Sequence, residues 1–161
     1  MQRYQTDHWQ RVKASCLFEV IEPDFVRYLR EVSRPAQIAF QKLMSMSDGN
    51  PVGIECKSST RAAWAFVMPN IAGDSDWKVQ YFDEDGFSGH CCHATIVKAA
   101  EAMISEGYVD IDAGILEKVT TTNRWALGVQ RLQLRDWFNQ GLISYREMLA
   151  GFKDLEEAKA A

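Results

Sequence analysis

The apolar residues of this chain change their spacing twice, from a helical period to short punctuated runs and back, which rules out an all-helical or all-strand fold. Residues 9–46 follow the helical period. Pro23 opens a helix in which Phe25, Tyr28, Leu29 and Val32 recur at i, i+3, i+4 and i+7. The apolar run at residues 16–21 fits either the end of a helix from Trp9 or a buried strand, and the helix is preferred. Pro35 is expected to end the Phe25 helix and open another, with Ala36, Ala39, Phe40, Leu43 and Met44 on one face. The Ser-Asp-Gly-Asn-Pro stretch at residues 47–51 breaks that helix.

Four short runs rich in aromatic and β-branched residues follow, at 52–56, 62–68, 77–82 and 87–92. Turn residues separate them, which predicts an antiparallel meander. The best-defined joint is Asp83-Glu84-Asp85-Gly86, where Gly86 supplies the positive φ of a tight hairpin. Trp77, Val79 and Tyr81 alternate onto one face with Lys78 and Gln80 opposite, so helices should cover one face and leave the other partly wet. Phe82 breaks this alternation.

Helical spacing returns at Thr95, a capping residue, and Ile96, Ala99, Ala100, Met103 and Ile104 form the stripe ahead of Gly107. A turn or short helix at 113–119 leads to a helix over 123–139. Its apolar positions, from Trp125 and Leu127 to Trp137 and Phe138, cover more than one stripe and require two neighbours. Ser144 and Glu147 form a capping box for a last helix, with Ile143 and Met148 placed to form a flanking hydrophobic staple. The expected fold is therefore α+β: N-terminal helices, a small antiparallel sheet of about four strands, and C-terminal helices on one sheet face that end in a helical hairpin. Residues 1–161 are read as one globular domain, in keeping with 47% hydrophobic and 25% charged residues.

Composition also limits function. Eighteen basic against 22 acidic residues give a net charge of −4, the wrong sign for a protein that lives on phosphate backbones, so no direct nucleic-acid partner is expected. The longest apolar run, residues 62–68, is far too short for a membrane span, and the first residues lack a signal-peptide core. A cytoplasmic location with reduced thiols at Cys16, Cys56, Cys91 and Cys92 is the expectation.

Two features qualify as contact surfaces. The acidic tip Asp83, Glu84 and Asp85 is one, and Arg124, Arg131 and Arg135, spaced seven and four apart along one helix face, is the other. A helix-turn-helix role for that hairpin is disfavoured, because its second helix mixes Glu147, Asp154, Glu156 and Glu157 with its basic residues. Residues 136–147 resemble a calcium loop in outline, but Phe138 and Gln140 occupy ligand positions that need oxygen donors of the right charge.

The string His90-Cys91-Cys92-His93 offers a chemical alternative. A cysteine hydrolase or transferase would need one thiol exposed, an imidazole in reach, and a carboxylate such as Asp83 or Asp85 to orient it. On a strand His90 and Cys92 face one way and Cys91 and His93 the other, so at most two can meet. A structural zinc site would combine His90 and Cys92 with Cys56 or Cys16. The leading expectation is a non-catalytic protein that binds another protein, of the adaptor or inhibitor type, an analogy that extends to the anti-defence accessory proteins of mobile elements. No cofactor and no metal are expected for that reading.

Overall fold

A computed structural model describes residues 4–15, 23–71 and 76–160. The reading of residues 16–21 lies outside them. Helix α1 (Asp7–Ser15) is capped by Thr6, whose hydroxyl accepts the Trp9 N–H at 3.0 Å. It packs on α2 (Pro23–Met46), where the Thr6 N–H donates to Gln37 Oε1 at 2.9 Å and His8 Nε2 meets Ser33 Oγ at 2.7 Å. Helix α2 runs unbroken through Pro35, contrary to the expected division. Pro35 and Glu31, whose carbonyl loses its donor, are both exposed, so water can satisfy that carbonyl and no core packing is disturbed.

The sheet has five strands: β1 (Cys56–Ser58), β2 (Ala63–Pro69), β3 (Trp77–Asp83), β4 (Gly86–His93) and β5 (Tyr108–Ile111). Their order is β4-β3-β2-β1-β5 and every strand pairing is antiparallel. The meander expected from sequence forms β1 to β4. The fifth strand returns to pair with β1, and at four residues it is too short for a periodic signature. Residues 52–55 contribute only an isolated bridge, Val52 to Val67.

Strand β2 decides how the layers stack. Ala63, Ala65 and Val67 point to one face, Trp64, Phe66 and Met68 to the other, and all but Met68 are buried. Both faces are therefore covered, not one. On the first, Ala63, Ala65, Val67, Val79 and Tyr108 pack under α2 (Phe40, Leu43, Met44) and under α3 (Ile96–Ser105), which contributes Ala99, Ala100, Met103 and Ile104. Alanine on both sides lets α3 lie close to the strands. The Thr95 hydroxyl caps α3 by accepting the Lys98 N–H at 3.2 Å, and Gly107 at φ +91° ends it, as expected.

On the second face α4 (Ile115–Thr120) and the first turn of α5 (Asn123–Asn139) enclose an aromatic cluster. Phe82, which is wholly buried, stacks on Trp64 at 5.7 Å between centroids and meets Phe66 and Trp125 edge-on at 5.9 and 6.2 Å. Phe82 therefore keeps the alternation of β3 rather than breaking it, because its face has a core of its own. The Trp64 indole N–H donates to Asp112 Oδ2 at 2.8 Å.

Beyond Trp125, α5 runs past the β3–β4 turn and the start of β4 and pairs with α6 (Tyr145–Ala160) as a helical hairpin. The capping box is present: Glu147 accepts the Ser144 N–H at 2.7 Å, and Ser144 Oγ accepts the Glu147 N–H at 3.3 Å. No helix among the described residues is long and apolar enough to cross a membrane.

Candidate interaction surface

The α5–α6 hairpin is rooted on the sheet by the residues expected to bind a partner. At the tip of the β3–β4 turn, Asp83 Oδ1 accepts the Asp85 N–H at 2.8 Å, which folds the turn back on itself. The Asp85 carboxylate takes both Nε and Nη2 of Arg124, at 2.7 and 2.6 Å, and Glu84 takes Nη1. The two-pronged bond to Asp85 and the neighbouring acidic charges raise the Arg124 pKa further above its ordinary value. The acidic tip and the first arginine are thus joined to each other, across 39 residues of sequence, and not displayed as two separate surfaces.

Gly128, one turn along α5, completes the root. A Cβ built there would fall inside the Asp85 carbonyl, so the turn backbone rests directly on the helix. Leu132 Cδ1 lies 3.7 Å from the Cβ position of Gly86 on the same contact. Sequence reasoning did not single out Gly128, although a glycine in mid-helix is itself a signal of close approach.

The other two arginines face α6. Arg131 lies 4.8 Å from the Phe152 ring centroid and 3.8 Å from Glu156, and Arg135 lies 5.9 Å from the same ring. With Phe138 and Tyr145, whose rings meet edge-on at 5.8 Å, they form an aromatic and cationic flank toward the far end of the hairpin. Arg131 and Arg135 also line, with Asp83, Asp85, Phe87 and Ser88, an open cleft of about 290 Å³ at the root.

Over residues 126–158 Met148 alone is buried. Trp137, Phe138, Leu142, Tyr145 and Leu149 are all exposed, Leu142 and Tyr145 by 65% and 59%. The two apolar stripes of α5 required two neighbours. Within the chain, α6 and the β3–β4 turn cover only part of them, and Gly151 seats Leu134 so closely that a Cβ would stand 2.7 Å from Leu134 Cδ1.

The His90–His93 string lies on β4, an edge strand. Its register places His90 and Cys92 opposite Gln80 and Lys78 on one face, and Cys91 and His93 opposite Val79 and Trp77 on the other. Cys91 and Cys92 are exposed and unbridged. No hydrogen bond joins a thiol of this strand to an imidazole among the described residues, and Asp83 and Asp85 are occupied at the hairpin root. Tyr81 is held well above the ordinary phenol value by burial first and then by its interactions with Glu106 and Cys91.

Cys56 faces the α2–α3 core, where burial pushes its thiol up to about 12, and it cannot join His90 and Cys92 on the opposite face. Cys16 lies outside the described residues. Among those described, no group of three or more metal-ligand side chains converges within one chain. No family model matches the chain, nor does any curated protein or solved structure.

Proposed function

We propose that this protein acts by binding another protein through the α5–α6 arm, as an adaptor or inhibitor rather than as a catalyst. The observation that carries the reading is the exposed apolar end of the arm, Trp137, Phe138, Leu142, Tyr145 and Leu149, on a hairpin that is capped and fixed at its root. Exposed aromatic and aliphatic side chains gathered at one end of an ordered element, Phe138 and Tyr145 in ring contact among them, are stabilised by a partner and disfavoured in water. Aromatic residues beside arginines are also the side chains that dominate binding at interface centres. Arg131 and Arg135 add a basic flank, so the fitting partner presents an apolar patch with carboxylates along one edge.

The acidic tip plays a different part in this reading: it orients the arm and does not face the partner. Replacing Leu142 and Leu149 with glutamate tests the reading, because both side chains are exposed and the fold should tolerate the change. A protein that co-purifies with the unaltered chain from producing cells should be lost with the double variant at an unchanged melting temperature. Recovery of the same proteins in the same amounts would remove the arm from the account.

A further inference from the structure

Strand β4 ends one side of the sheet, and no strand among the described residues pairs with its outer edge. Edge strands are usually protected by charge, proline or irregularity. Residues 86–93, Gly-Phe-Ser-Gly-His-Cys-Cys-His, contain no charged residue and no proline. The strand's irregularity is the register shift where Tyr81 and Phe82 pair with Gly89 and Phe87, which leaves Ser88 as the extra residue beside Gly89 at φ +151°. Helix α5 rests near Gly86, Phe87 and Ser88, so segment 89–93 beyond the shift, exposed from Gly89 to Cys92, is the part left unpaired among the described residues.

We propose that two copies of this chain pair antiparallel through segment 89–93, and that the pairing assembles a zinc site from His90 and Cys92 of each copy. The midpoint of the segment is Cys91, so a two-fold pairing that uses all five residues is centred there and sets His90 of each copy against Cys92 of the other. In a strand, residues two apart lie on one face about 7 Å from each other, and directly opposed residues stand about 5 Å apart. Two imidazoles and two thiols then occupy the corners of one small rectangle on a single face. That is the donor set and the spread that one tetrahedral zinc ion accepts, with two thiolates balancing its charge.

One chain supplies only half of the set. Both side chains lie on the exposed part of the edge strand. Cys92 already has an outer partner: Asn70 Nδ2 donates to its Sγ at 3.6 Å, the kind of contact that orients a metal-binding sulfur.

The test is light scattering and native mass spectrometry of the full chain, stripped of metal and then titrated with zinc. The expected result is a monomer without metal and a dimer holding one zinc per two chains. His90→Ala and Cys92→Ser should each abolish the zinc-dependent dimer while circular dichroism stays unchanged, and Cys91→Ser should retain it. Asn70→Ala should weaken zinc binding about 10- to 100-fold. Cobalt in place of zinc should give a thiolate-to-metal charge-transfer band that Cys92→Ser removes. One zinc per monomer, a zinc-bound dimer that survives Cys92→Ser, or a dimer indifferent to zinc would overturn the proposal. So would a chain that stays monomeric and zinc-free, which would leave the edge to an extended segment of another protein.

Discussion

Gly128 occupies the middle of a 17-residue helix, where glycine costs about 1 kcal/mol relative to alanine. The contact with the Asp85 backbone explains why that cost is borne. Gly128→Ala should therefore destabilise the protein despite its better helix propensity. Overpacking against a backbone outweighs the propensity gain by about 2 kcal/mol, read as a fall of roughly 4–8 °C in melting temperature. Arg124 contributes less, because its ion pairs are half exposed. Arg124→Gln should cost no more than about 1 kcal/mol at low salt, and the loss should shrink in 1 M salt, as screening requires.

Cys56 gives the residue scale a pH signature. Its folded pKa, about 12, lies above the ordinary value of 9.0, so the fold favours the protonated thiol. That contribution is complete below about pH 9 and is lost as pH rises toward 12. Thermal melts over this window should fall steeply for the unaltered chain and less steeply for Cys56→Ala, which starts lower and has no thiol to ionise. Equal slopes would show that the thiol is not the group responsible.

At the scale of elements, what sequence conveys depends on length and period. The helix of Thr95 to Gly107 and the capping box of α6 were legible because caps and stripes are local. Strand β5 was not, since four residues carry no period, and Pro35 misled because its effect depends on which side of the helix meets water. The second core was hidden for a related reason: a strand buried on both faces reads as a continuous apolar run, and Phe82 looked like an interruption only while its face was taken as wet. Phe82→Ala should cost about 3–5 kcal/mol, comparable to a residue of the main core, as judged by chemical denaturation. The candidate site was legible as residues and not as pairs, because nothing local links Asp85 to a helix that begins 38 positions later. Helix α6 supplies its own check. Ser144 holds the Glu147 carboxyl below its ordinary value, so the cap is present above that value and weakens as pH falls through the lowered one. Ser144→Ala should speed amide exchange across the first turn of α6 at neutral pH and make little difference in acid.

At the scale of the whole molecule, the sheet with its two helical layers serves as a base, and the α5–α6 hairpin is a fixed projection from it. Of the charges that the sequence suggests for two outward surfaces, Asp83, Glu84, Asp85 and Arg124 join the β3–β4 turn to this projection, while Arg131 and Arg135 lie beside Phe152 and the apolar end of the arm is exposed. The central claim is that the arm is where a partner sits. The most direct measurement is site-specific photo-crosslinking in producing cells, with the photoreactive residue placed at position 142 or 149 of the arm, or at position 38 or 46 on α2, where Ile38 and Met46 are also exposed. The account predicts a discrete adduct with another protein from positions 142 and 149 and none from 38 and 46. Adducts from α2 alone, or none from the arm, would contradict it.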